Sequence, residues 1–193
     1  LLEKGLEARE RILAEALALF AAKGYESVAV QDVCQAAGLT KPTLYHYFGS
    51  KLGLLEAILE EVYLDLLGRV EAAAHYAGDL PLTLYKVAGT YFDFARQRPQ
   101  AYRLLLSLWL APEESESLAA VRSWNQRQHQ VLVDMFAAAS QDHGNMKGRQ
   151  ARYALTFLGM LNTLIGVSLN GLLELSDNLT FQCVHQFMHG IYS

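Results

Sequence analysis

Cysteine, proline and excess positive charge are all scarce in this 193-residue sequence, and each scarcity removes a class of answer. The two cysteines, Cys34 and Cys183, lie far apart with no metal or redox spacing, so free thiols in a reducing cytoplasm are expected, without a disulfide framework. Four prolines and fourteen glycines are too few for a collagen-like or linker-dominated chain. Sixteen Lys+Arg against twenty Asp+Glu leave a net charge of −4, which argues against coating nucleic acid by bulk charge but not against a small, placed site. A Gly-rich phosphate loop, a nucleophile elbow and a carboxylate pair spaced for acid–base work are also missing. No catalytic residue, cofactor or enzymatic activity is therefore expected.

Long apolar runs are equally rare. The segment from Tyr153 to Leu173 carries no charge and is long enough to cross a bilayer, but Thr156, Asn162, Thr163, Ser168 and Asn170 interrupt it. It is expected to be a helix buried in protein rather than in a membrane. The first residues hold charges at Glu3, Lys4, Glu7, Arg9, Glu10 and Arg11, unlike a secretory signal, so the sequon Asn178-Leu-Thr180 reads as chance.

What is present is helical periodicity. Hydrophobic residues make up 52% of the chain and recur at intervals of three and four, with no alternating β-branched run, so an all-α fold of about nine helices is predicted. The first helix closes at Gly24, a second runs near Val30 to Ala37, and a third starts at Thr40, an N-cap residue type, with Pro42 in its first turn. Ser50 caps a fourth helix reaching about His75. Polar breaks near Ala77–Pro81, Arg98–Pro99, Ala111–Ser117, Gln141–Gly148 and Leu175–Asn178 divide the rest into about five more.

The stretch Val30 to Lys51, VQDVCQAAGLTKPTLYHYFGSK, is the informative one. Val33, Ala37, Leu39, Leu44 and Phe48 are spaced to form the small core of two helices crossing at a tight turn at Gly38, a helix-turn-helix pattern. At ~100° per residue, Leu44 and Phe48 point inward while Pro42, Thr43, Tyr45 and His46 point outward. That outer face offers Thr, Tyr, His and Pro in place of the usual Glu, Lys and Gln, with Lys41 and Lys51 at its ends. Thr, Tyr and Lys donate to phosphate oxygens, Thr43 and His46 can reach base edges in a major groove, and the helix N-terminus favours a phosphate.

Residues 8–60 resemble the DNA-binding domain of the tetracycline-repressor (TetR) family of bacterial transcription regulators. The resemblance rests on Phe20-Ala-Ala-Lys-Gly24-Tyr25, on Ala36-Ala37-Gly38-Leu39 and above all on Thr40-Lys-Pro-Thr-Leu-Tyr-His-Tyr-Phe48 followed by Ser50-Lys51. It implies that Lys41, Pro42, Thr43, Tyr45, His46 and Tyr47 meet a double-stranded operator, with Thr40 at the head of the same helix, and that Lys51 holds a backbone phosphate. Three positions depart from the pattern. Ala29 stands where a Ser or Thr often caps the second helix, Gly53 stands where an acid often completes the cap of the fourth and should loosen that end, and a basic N-terminal arm is not seen.

The resemblance further implies a helix-turn-helix domain over residues 1–50 and an effector-binding and dimerisation domain over 51–193, the latter variable within the family. Tyr91, Tyr102, Leu105, Leu106, Trp109, Trp124, Phe157, Met160 and Leu161 form apolar stripes expected to line a pocket for a small lipophilic or aromatic effector, neutral or cationic because few charges lie on them. The last two helices, with Gly159, Gly166 and Gly171 on one and Phe181, Val184, Phe187, Met188 and Ile191 on the other, are expected to form a homodimer interface. His185 and His189 share a helical face, but no third ligand type lies nearby, so no metal is expected. The function implied is a cytoplasmic, ligand-responsive repressor on a palindromic operator. The alternative is an all-helical small-molecule-binding protein or enzyme that binds no operator.

Overall fold

A computed structural model describes residues 2–190, with side chains described from residue 5 onward. Every regular element among the described residues is helical: α1 (Leu2–Lys23), α2 (Val30–Ala37), α3 (Lys41–Phe48), α4 (Lys51–Ala73), α5 (Leu80–Gln97), α6 (Pro99–Trp109), α7 (Glu116–Ala139), a 3-10 turn (Gly144–Met146), α8 (Gln150–Leu169) and α9 (Asp177–His189). The polar breaks read from the sequence are the inter-helix turns. Ile191 of the expected dimer stripe lies outside the described residues.

Packing groups the described residues into two compact units, residues 2–63 with 100–123, and residues 64–99 with 124–190. The first fifty residues therefore do not pack alone, because most of α6 and the start of α7 belong with them.

In the first unit α1, α2 and α3 pack on one another around Ile12, Ala16, Phe20, Val33, Cys34, Ala37 and Leu44, all buried. Gly24 and Gly38 take left-handed backbone (φ 80° and 63°), ending α1 and α2 where a side chain would be strained. Ala29 offers no side-chain cap to α2, but its own amide donates to Asp32 Oδ2 at 2.9 Å, so half of a capping box remains. Ser50 caps α4 as expected, its Oγ accepting from the Gly53 amide at 2.9 Å.

Gly53 does something other than loosen that end. A Cβ built on it would run into the backbone carbonyl oxygen of Phe48, at the end of α3, so the absent side chain is what lets α3 close onto α4.

In the second unit α5 packs on α9 and α8. Asp79 Oδ1 caps α5 through the Leu82 amide at 2.9 Å, and Ser176 Oγ caps α9 through the Leu179 amide at 3.2 Å. α8 holds most of the uncharged segment, after Arg152 in its first turn, and it is the one described helix long and apolar enough to cross a membrane by length and composition. Its buried stripe, Ala154, Phe157, Leu158, Leu161 and Ile165, lies in the core of this unit. It stops before Gly171, whose φ of 75° marks a turn, so Gly171 serves chain reversal and not close helix approach.

Candidate functional site

The helix-turn-helix places its outer face as the wheel predicts. Leu44 is fully buried beneath α3, while Lys41, Pro42, Tyr45 and His46 are exposed and Thr43 is half-exposed. Tyr45 is a large apolar ring left 46% open, which inward packing would not leave. No acidic residue lies on α3, so the positive end of its dipole is unopposed within the helix. Thr40 occupies the cap position in extended backbone, yet its Oγ1 pairs with Thr43 Oγ1 at 2.9 Å and caps no amide. These two hydroxyls form one polar spot at the head of the helix.

Tyr47 differs from its neighbours. It is half-buried, its ring edge-on to His46 at 5.3 Å, and its hydroxyl lies toward Gly5 of α1. Phe48 packs under the Arg9 guanidinium at 5.6 Å, which ties the end of α3 to α1.

Lys51 is half-buried, with its ammonium 4.1 Å from the centre of the Tyr25 ring. Tyr25 is buried, meets Phe20 edge-on at 5.1 Å and donates its hydroxyl to Glu116 Oε1 at 2.5 Å. Burial, the accepting carboxylate of Glu116, and the charges of Glu26 and Glu56 push the Tyr25 phenol far above its ordinary range, so it stays a donor. Ser117 Oγ donates to Glu26 Oε1 at 2.9 Å. Sequence patterning does not reveal these contacts, because their partners lie 91 residues apart.

A second feature lies wholly in the second unit: a cavity of about 1000 Å³ between α5, the end of α7, the 3-10 turn, α8 and α9. Its apolar lining includes Leu80, Leu84, Phe136, Tyr153, Met160, Leu164 and Phe187, and its polar lining includes Arg152, His143, Thr156, Gln182 and Gln186, with no carboxylate. Phe187 stacks on Phe157 at 5.0 Å and Phe136 at 6.2 Å, which fixes one wall. Cys183 also lines it, and burial pushes that thiol up to about 11, so it is a neutral wall atom and not a nucleophile.

Of the residues expected to line an effector pocket, Met160 lines this cavity and Phe157 lies behind its Phe187 wall, while Leu161 is fully buried core. Tyr91 is fully buried with its hydroxyl oxygen accepting from the Gln128 amide at 3.0 Å, and Trp124 is half-buried. Tyr102 and Leu105 are buried, Leu106 is half-buried and Trp109 is partly exposed, all in the first unit. The α8 residue that sequence reasoning missed is Tyr153, which is spaced to share one side of that helix with Met160 and Leu164.

Among the described residues no group of three or more His, Cys, Asp and Glu is placed to hold a metal ion. His185 and His189 stack at 4.5 Å on the exposed face of α9.

Comparison with known proteins agrees with this geometry. The family model of bacterial regulatory proteins of the tetR family matches residues 12–58. The chain is 32% identical over 99 residues to the HTH-type transcriptional activator FasR of Mycolicibacterium smegmatis, covering 51% of this chain and 45% of that one. It is 27% identical over 130 residues to the nucleoid occlusion factor SlmA of Haemophilus influenzae, covering 67% and 60%. The matched segment thus spans about half of those relatives' lengths. The TetR family transcriptional regulator PfmR from Thermus thermophilus superposes with a TM-score of 0.74 at 26% identity, over 95% of this chain and all of that one. FadR from Bacillus subtilis, solved with stearoyl-CoA, shares the fold with a TM-score of 0.79 at 17% identity, over 95% and 99%. The helix-turn-helix with its exposed α3 face, the helical remainder and these likenesses make the chain similar to the TetR family of bacterial regulatory proteins, whose family model matches residues 12–58.

Proposed function

We propose that this chain is a cytoplasmic, ligand-responsive transcriptional repressor that binds a palindromic operator as a homodimer. Residues 1–50 form its DNA-binding domain and residues 51–193 its effector-binding and dimerisation domain. The observation that carries the reading is the exposed, acid-free face of α3. Lys41, Pro42, Thr43, Tyr45 and His46 enter the major groove, the Thr40–Thr43 hydroxyl pair and Tyr47 flank them, and Lys51 holds a backbone phosphate. The chain is not an enzyme on this reading.

Two copies meet through α8 and α9. Phe181 and Leu155 stand 61% and 56% exposed on these helices, and a Cβ on Gly159 would meet nothing within the chain, so its small size is left for a neighbour to use. Val184 and Phe187 of the expected stripe turn inward instead.

The effector occupies the apolar cavity of the second unit, between Met160 and Phe187. The stearoyl-CoA held by FadR directs attention to acyl compounds, and a lining with Arg152 and His143 but no carboxylate suits a long apolar chain with an acidic head. This reverses the neutral or cationic preference drawn from the sequence. Such a ligand releases the operator only by binding the non-DNA-binding conformation more tightly.

Gel-shift titration of wild type against Tyr45→Ala and Lys51→Ala tests the reading. Wild type binds a selected operator, Tyr45→Ala weakens it, and Lys51→Ala lowers the slope of log K against log[salt] by ~0.9 for each lost phosphate contact, ~1.8 for the dimer. A folded wild type without sequence-selective binding would support the alternative, a helical small-molecule-binding protein.

A further inference from the structure

Lys51 is half-buried over a ring that is itself held from a distant helix, and this arrangement has no counterpart on the exposed face of α3. We propose that Glu116, the first residue of α7, positions Lys51 for DNA through Tyr25. The inference rests on the DNA-binding reading above and adds two residues, Tyr25 and Glu116, that touch no nucleic acid themselves.

The geometry runs in one direction. Glu116 accepts the Tyr25 hydroxyl at 2.5 Å, a short bond to a carboxylate, which fixes the ring's orientation and makes the ring more electron-rich toward a cation. Phe20 meets the same ring edge-on at 5.1 Å and closes off its alternative positions. The ammonium of Lys51, 4.1 Å from the ring centre, therefore rests on a seat that cannot rotate away. The Glu116 end of the network is fixed as well. Ser115 Oγ accepts from the Leu118 amide at 3.2 Å to cap α7, and Ser117, fully buried, bonds Glu26 on the residue next to Tyr25. A lysine on a free stem loses rotamer entropy when it grips a phosphate, whereas one already seated has lost much of it beforehand. The first turn of α7 thus sets the affinity of the α4 phosphate contact without lying near it in sequence.

Tyr25→Phe is the informative variant, because it keeps the ring and the charge and removes only the hydroxyl. By fluorescence anisotropy on the selected operator, it is expected to bind about threefold to tenfold more weakly than wild type. In a Lys51→Ala background the same change is expected to have no further effect. Equal losses in both backgrounds, unchanged affinity or tighter binding would overturn the proposal. A second readout needs no DNA: the Lys51 Cε protons should resonate upfield in the wild-type NMR spectrum and return toward ordinary lysine values in Glu116→Ala, a change at an exposed position. Ring-shifted protons that stay in place in Glu116→Ala would overturn the positioning role even where DNA binding is intact. A loss of the shift in a protein that binds no operator would uphold the seat and place the failure in the DNA-binding reading.

Discussion

At the scale of single residues, Gly53 and Lys51 show how little of a contact surface is set by the side chains that meet the partner. Gly53 reads in the sequence as a missing acid, because the local pattern compares it with capping residues. Its neighbour in space is the Phe48 carbonyl, and that relation depends on the angle between α3 and α4. Gly53→Ala is expected to destabilise the protein by ~1–3 kcal/mol, measured by urea denaturation, since a Cβ forced against backbone must shift α3 or α4. An alanine variant as stable as wild type would show that the close approach does not constrain the fold. Lys51, by contrast, is legible from the Ser50-Lys51 motif, but its seat on Tyr25 is not, because Tyr25 reads only as an apolar residue after a helix-ending glycine.

At the scale of elements, local signals carried most of the architecture. Gly24 and Ser50 mark helix ends where the sequence puts them, and Asp79 and Ser176 cap α5 and α9 inside the polar breaks read near 77–81 and 175–178. Thr40 marks the start of α3 correctly while its hydroxyl bonds Thr43 instead of a backbone amide, which residue type alone does not distinguish. Which flank of a helix faces a cavity was not legible. The aromatic residues of α5 and α6 suggest a pocket by composition, yet Tyr91 and Tyr102 are core, and the cavity opens on the Tyr153–Met160–Leu164 flank of α8. Tyr91 and Gln128 form a buried polar pair between α5 and α7. Gln128→Leu should cost ~1–3 kcal/mol by stranding the Tyr91 hydroxyl, and the double variant Tyr91→Phe/Gln128→Leu should recover part of that loss. Thermal or urea denaturation of Gln128→Leu, Tyr91→Phe and the double variant checks the pair, and no recovery in the double variant would mean the hydrogen bond adds nothing beyond packing.

At the scale of the whole molecule, charge and symmetry decide what kind of DNA binding is possible. Residues 1–50 carry five basic and six acidic side chains, and residues 51–193 carry eleven and fourteen, so neither portion attracts DNA by its net charge. On the proposed homodimer reading, specificity comes from a few placed contacts doubled by two-fold symmetry, with non-specific binding weak at physiological salt. Phe181→Asp puts a charge on the exposed α9 face and is expected to shift the mass in analytical ultracentrifugation from dimer toward monomer. It should weaken operator binding far more than any single change on α3. A variant that remains dimeric would move the interface elsewhere.

The most direct test of the central claim is selection of DNA by the purified wild-type chain from a random duplex library. Enrichment of an inverted repeat, bound by two copies, with half-sites about one helical turn (~34 Å) or more apart, is the predicted result. A library that stays random after repeated rounds with folded protein, or an enriched site without two-fold symmetry, would contradict it.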